Sequence, residues 1–407
     1  MSIDSSILNV TGGAKVGDTI TKYMYHVYQP LASTRFTYND EIRFQIHQQD
    51  IFTLPSESFL LVEGKINAST GDTGLTLVEN GISFLFDEVR YEINSKEIDK
   101  TRNLGYASLM KGLCSFTSSE HKLLSNAGWN HEFNTQVLDT SSGLFTVCIP
   151  LKMWLGFAED YKKIIVGVRQ ELVLLRARND NNALLSTMTG DSKSTVEIKN
   201  ISWYLPHVTV SDAAKVSLMK LIDRDSIITM PFRSWEFHEN PALSTTTRNN
   251  WTITTTSQLE KPRYVIIGFQ TDRKNNIKKD NDNFDHISLK DIKLFLNSES
   301  YPYSNLNLDT SKKNLALLYN MYVQFQRSYY GRVNYDVILD RKTFMDDQML
   351  IVFDCNHQND SIKTAPVDIR LEIETASTVP ANTSCYCLIL HGRIVQYSSL
   401  SGIVKKL

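Results

Sequence analysis

Metal-assisted and acid-base chemistry need clustered donors, so the histidines, cysteines and acids are placed first. The nine histidines are His26, His47, His121, His131, His207, His238, His286, His357 and His391. None stands two, three or four residues from another, so no strand face or helix face offers a ready ligand pair. Cys385 and Cys387 sit in an apolar run and would share one strand face. A metal site there needs another donor, and His391 is the one candidate nearby. With Cys114, Cys148 and Cys355 the cysteines number five, an odd and thinly spread set. They suit reduced core residues better than a disulfide framework. Asp280-Asn-Asp282-Asn-Phe-Asp285 has the outline of a calcium loop, but Phe284 stands where a ligand belongs and Asp285 where the sharp turn needs Gly. Behind Arg273, Lys274, Lys278 and Lys279, the segment reads as a solvated loop. Asp346-Asp347 would supply paired carboxylates, and a turn beside an apolar strand explains them as well. No G-x-S-x-G, H-E-x-x-H, Walker A or G-x-G-x-x-G motif occurs. Catalytic, cofactor-binding and metal-ligating residues are therefore none, no cofactor is expected, and the expectation is a protein that is not an enzyme.

The elements that would hold such residues follow from composition and period. The chain has 407 residues, 42% apolar and 22% charged, enough for one or two ordinary cores. Its 43 basic and 45 acidic residues leave a formal charge of −2. The first 22 residues balance Lys15 and Lys22 against Asp4 and Asp18, and Lys405-Lys406 is too short for a polybasic tail. Strong direct nucleic-acid binding is not expected. The longest apolar run is Cys385 to Leu390, far below the roughly 20 residues a membrane span needs. The N-terminus lacks the basic start and apolar block of a secretory signal.

Period two dominates. Ile42, Phe44 and Ile46 alternate with polar residues, as do Val89, Tyr91 and Ile93, and Val367, Ile369, Leu371 and Ile373. Phe59 to Val62, Leu172 to Leu175, Tyr264 to Ile267, Met349 to Phe353 and Cys385 to Leu390 are continuous and suit strands buried on both faces. In Val196 to Trp203 the phase slips at Lys199-Asn200, which a bulge explains. Helices are expected at Lys312 to Tyr329, capped by Thr310 or Ser311 and ended by Gly331, at Leu104 to Leu113, and at Asp212 to Ile222 after Ser211.

The two halves echo each other. Asn94-Ser95 and Asn297-Ser298 close similar strands 203 residues apart (297 minus 94). Phe59 to Gly64 is echoed by Tyr264 to Gly268, and a helix candidate follows each echoed strand pair. A repeat of this size is a domain. The expected division is an N-terminal arm 1–22, a first sandwich 23–210, a linker helix 211–225 and a second sandwich 226–407. About eight strands per half is the strand count of a jelly roll. The fold class expected is all-β: two tandem jelly-roll sandwiches with a few short helices.

The aromatic residues, 10% of the chain, include Tyr23, Tyr25 and Tyr28 before Pro30, and Tyr301 and Tyr303 around Pro302. Such side chains suit cores and subunit interfaces, and less often a sugar-binding face. Together, Tyr28-Gln-Pro30, Gln49 to Phe59, Phe86 to Ile93, Gly156 to Lys163, Phe232 to Glu236, Gln258 to Tyr264, Leu296 to Ser298, Pro366 to Leu371 and the tail through Tyr386 to Leu407 resemble double jelly-roll proteins of invertebrate genomes. Those are similar to major capsid proteins of the adenovirus, virophage and Polinton lineage.

The resemblance implies a capsid-forming structural protein, a major capsid subunit or a domesticated relative. Its implied partners are two further copies in a pseudo-hexameric homotrimer, then other capsomers in an icosahedral shell, with a penton or minor capsid protein as a further partner. It implies a place in the virion capsid, after intracellular assembly. Two alternatives stay open. A two-sandwich enzyme, an amidase or a bicupin, would show convergent acids or clustered histidines in a cleft. A carbohydrate- or protein-binding module would show an exposed aromatic platform and no obligate oligomer.

Overall fold

The computed structural model describes residues 19–32, 35–47, 51–129, 137–139, 141–190, 192–224, 226–254, 262–297, 299–356, 367–398 and 401–407. Most of the expected arm, His131, His357, Ser298 and Asp225 lie outside the described residues.

The main strands of the first half are β1 Ile20–Tyr28, β2 Glu41–Ile46, β3 Phe59–Asn67, β4 Phe86–Ile93, β5 Lys96–Arg102, β6 Leu144–Pro150, β7 Gln170–Arg176 and β8 Thr195–Val210. Those of the second are β9 Ile227–Asn240, β10 Arg248–Ile253, β11 Pro262–Thr271, β12 Leu289–Leu296, β13 Glu299–Tyr301, β14 Ile351–Asp354, β15 Ile369–Thr375 and β16 Thr383–Ser398, with β17 Val404–Lys406 added at the end. The helices are α1 Leu104–Ser115, α2 Ser118–Leu124, α3 Gly156–Asp160, α4 Asp212–Asp223, α5 Ala316–Tyr330 and α6 Arg341–Asp346.

In the first half the main strands form sheets ordered β1-β8-β3-β6 and β2-β7-β4-β5; in the second, β9-β16-β11-β14 and β10-β15-β12-β13. Adding eight to each label converts one half into the other, and every pairing is antiparallel. This is the jelly-roll order, built twice. The repeat extends to single hydrogen bonds. Asn94 (φ 48°) and Asn297 (φ 54°) both take the left-handed conformation that Asn tolerates well. Asn94 N donates to Arg169 O, and Arg169 N donates back to Asn94 Oδ1. Asn297 does the same with Asp368. The expected bulge is present, as the β8 register on β3 slips between Ile198 and Asn200.

Alternation sets which face is core. Ile42, Phe44 and Ile46 of β2 are buried while Glu41 is exposed. Cys385 to Leu390 in β16 are buried on both faces, because α1 of the first half lies across that sheet's outer side. All of α1 is buried, and one continuous apolar cluster runs through both halves. Helix α5 starts at Ala316, four residues later than the sequence suggests, and Leu315 rather than Thr310 or Ser311 is its cap. Asp309 and Asn314 bond each other's backbone and Lys313 takes φ 55°, so a tight turn occupies the expected first turn. Gly331 ends the helix at φ 67°, as expected.

Candidate functional site: the junction between the two sandwiches

Helix α1 carries one cation among apolar residues. Lys111 is only 3% exposed and sits where α1, α3, α5 and β9 meet. Its Nζ donates to Tyr330 OH at 2.7 Å, Ser115 Oγ at 2.8 Å and Glu159 Oε1 at 3.1 Å. The rings of Tyr329, Trp235 and Tyr330 stand within 4.6–5.1 Å of it. Burial pushes the Lys111 ammonium below its ordinary pKa, and the Glu159 carboxylate opposes that shift. Three donors, three acceptors and three ring faces satisfy the ion.

A second pair closes the same junction. Arg233 in β9 meets Asp160 at the end of α3 in a two-pronged contact of 2.5 and 2.8 Å, and its guanidinium lies 3.6 Å from the Tyr329 ring. Burial lowers the Arg233 pKa, but the Asp160 hydrogen bonds together with the nearby Tyr329, Asp160 and Glu159 charges outweigh it, and the net shift is upward. Such a planar fork gives orientation as well as energy. Beside it, Ser234 Oγ donates to Asp99 Oδ1 at 2.6 Å, and Phe157 N donates to Asp99 Oδ2 at 2.9 Å. One carboxylate thus ties β5, α3 and β9 together. Gly156 allows the approach: a Cβ there would lie 1.8 Å from Arg233 O.

Farther along, Tyr106 of α1 stacks on Tyr386 of β16 at 4.6 Å and donates to Asn281 Oδ1 at 3.2 Å. Tyr322 of α5 donates to Leu113 O at 2.7 Å. Tyr397 of β16 donates to Val166 O at 3.0 Å. The junction is therefore a mixed interior, with aromatic rings supplying area and a few charge pairs supplying register.

The sequence-based candidates fall elsewhere. Asp280 to Asp285 is not the solvated loop expected. Asn281 and Asp282 are buried, Arg273 binds Asp285 at 2.7 Å and the Asp280 carbonyl at 2.9 Å, and Asp282 Oδ2 accepts from Glu79 N. Of the basic residues before the loop, Arg273 turns inward, while Lys274 and Lys278 stay exposed. Burial, then the nearby Asp280 and Glu79, drives the Asp282 carboxyl well above its ordinary pKa. Cys385, Cys387 and His391 are buried without converging on a metal geometry; among the described residues no trio of His, Cys, Asp or Glu does. Burial raises the thiols of Cys385, Cys387, Cys355 and Cys114, and all five cysteines are free. Asp346 ends α6 and Asp347 follows as its cap, both exposed. A groove of about 460 Å³ opens beside Tyr106, but Glu88 on its wall is bonded to Arg90 and Arg102. Sequence reading missed Lys111, Glu159, Tyr329 and Trp235 as a set. The available signal was a lone lysine in an otherwise apolar helix, which only a buried partner explains.

The family model of the double jelly roll-like domain matches residues 75–395. The chain belongs to the double jelly roll-like domain family. No curated protein matches it in sequence. Among solved structures it is similar to a chain of the Sputnik virophage (TM-score 0.58, 10% identity, covering 96% of this chain and 89% of that one). It is also similar to the faustovirus major capsid protein (0.56, 10%, 92% and 90%) and to the mavirus major capsid protein (0.55, 10%, 94% and 90%). At that identity the likeness shows the fold, and it spans both sandwiches.

Proposed function

We propose that this protein is a shell-building subunit: a major capsid protein of a DNA virus or virus-like transposon, or a domesticated relative. The observation that carries the reading is the repeated strand order in both halves, fused at fixed angle by a buried junction, in the fold of viral major capsid proteins. A closed ring of three copies approximates sixfold symmetry only if the halves are alike and rigidly set. The repeat supplies the first condition and the Lys111 and Arg233 clamps the second. The functional units are 23–210 and 226–407, joined by 211–225, with 1–22 as an arm.

The chain then acts without catalysis or cofactor. Its partners are copies of itself, as a homotrimer and then between trimers, with a penton or minor protein at other positions. Its place is the virion capsid. An obligate trimer interface would bury on the order of 2,000 Å² or more. The enzyme alternative has less support, because Glu159 and Asp160 at the junction are engaged by Lys111 and Arg233. Negative-stain electron microscopy of the purified protein tests the proposal. Hexagonal outlines or closed shells support it, and a uniform field of single two-lobed particles overturns it.

A further inference from the structure

We propose that the exposed face of strand β1, with the adjoining rings of Phe59 and Tyr204, is the surface on which the second half of another copy of this chain docks. The inference rests on the shell reading above and names the surface it needs.

Strands β1 and β9 are counterparts, and each is the edge strand beside the long return strand of its sheet. In the second half that sheet is covered from outside by the first half. Trp235 lies under Lys111 at 4.9 Å, and Phe237 and Tyr386 lie under Tyr106 at 6.2 and 4.6 Å. Trp235 is consequently only 3% exposed. From the strand's other face Phe232 meets Phe157 edge-on at 5.2 Å.

In the first half the same sheet carries the same kind of surface; Leu218 of α4 packs at its end, on the cluster of Phe52, Val166 and Val208, and the ring face along β1 stays exposed. Trp203 and Phe44 mark its core side. On the other side a chain of rings runs from Tyr23 to Tyr25 (5.8 Å), Phe59 (5.3 Å) and Tyr204 (4.9 Å). Tyr23 and Tyr25 are each 44% exposed and Val27 48%. The strand's whole length from Ile20 to Val27 is exposed. A long apolar edge strand left open is an aggregation hazard that proteins normally cover or charge. Here Lys22 is its only permanent charge.

The occupant follows from the repeat. The covering element inside the chain is α1, the helix between the fifth and sixth strands of the first half. Its counterpart between the fifth and sixth strands of the second half is α5. One face of α5 is buried against α1 and β14. The opposite face holds exposed Leu317, with Gln324 seven residues on, and Tyr335 leans on Gln324 at 3.3 Å. Placed on β1 of the next copy, this face would repeat the internal contact, and a heterologous contact of that kind makes a ring when its rotation closes.

Sedimentation of wild type, Tyr25→Arg and Leu123→Glu tests this, with hydrogen exchange on wild type at high and low concentration as a measurement that needs no substitution. Leu123 is exposed on α2, away from β1. The expected result is that wild type and L123E associate alike, while Y25R associates roughly 10- to 30-fold more weakly, as loss of a central aromatic anchor would give, with an unchanged melting temperature for the monomer. The amides of Ile20–Tyr28 should gain protection only in the associated form. If Y25R associates like wild type, the assigned surface is wrong and the shell reading stands. If wild type stays monomeric at tens of micromolar, both fall. If the β1 amides are equally protected in the monomer, the chain covers its own face and the docking proposal is overturned.

Discussion

Lys111 decides how the two sandwiches meet, and its environment sets the cost of changing it. Replacing it by Ala leaves Glu159 with buried, unmatched charge, and the expected loss in unfolding free energy is about 3 kcal/mol. Pairing Lys111→Met with Glu159→Gln removes both charges and should recover most of that loss. Chemical denaturation of the two variants and wild type measures it; equal stabilities for the Ala variant and wild type would show that the cage is dispensable. Gly156→Ala is expected to cost about 1–3 kcal/mol by the same assay, because its Cβ would overlap the Arg233 carbonyl. At this scale the sequence was partly legible. Asn94 and Asn297 announce their left-handed turns through residue type and context. Glu159 and Asp160 do not announce their partners, because Lys111 is 48 positions away in sequence and Arg233 is 73.

Between residue and molecule, the β1–β8 ribbon carries a pH response. The His207 ring stacks on His26 at 3.8 Å and bonds Tyr28 OH at 2.8 Å. Burial, then the His26 charge, lowers its pKa from 6.5 to about 4. As pH falls below 6.5 the unfolded chain takes the proton first, so the ribbon's stability should decline from there down to about pH 4 and level off below. Exchange rates of the β1 amides between pH 7 and 4 measure this, and His207→Gln should remove that part of the slope. A slope unaltered in the variant would assign it to other groups. The turn asparagines give a second test: Asn94→Ala and Asn297→Ala each lose a left-handed residue and one bond to the facing strand, so each should cost about 1–2 kcal/mol, Asn94→Ala the more because its Nδ2 also donates to Gly402 O at 2.9 Å. Alternation identified strands such as Ile42 to Ile46 because one face meets water. The start of α5 and the buried 280–285 loop were not legible, since both depend on contacts made at a distance: the Asp309–Asn314 turn, and Arg273 reaching back to Asp285.

For the whole molecule, the offset near 203 residues already pointed to two copies of one fold, and the identical strand orders bear that out. What the offset could not convey is that the halves share one apolar cluster, with α1 buried between them. That burial comes from packing across the repeat, which no single period records. It also leaves an asymmetry: the second half's edge strand is covered, while the first half's is open. In the proposed shell, further copies of the chain would cover the open strand. The mass of the purified native protein, measured by analytical ultracentrifugation at tens of micromolar, is the most direct check. A stable species of three 46.5 kDa chains, or larger closed assemblies of it, is expected. A single species at the mass of one chain would contradict the account.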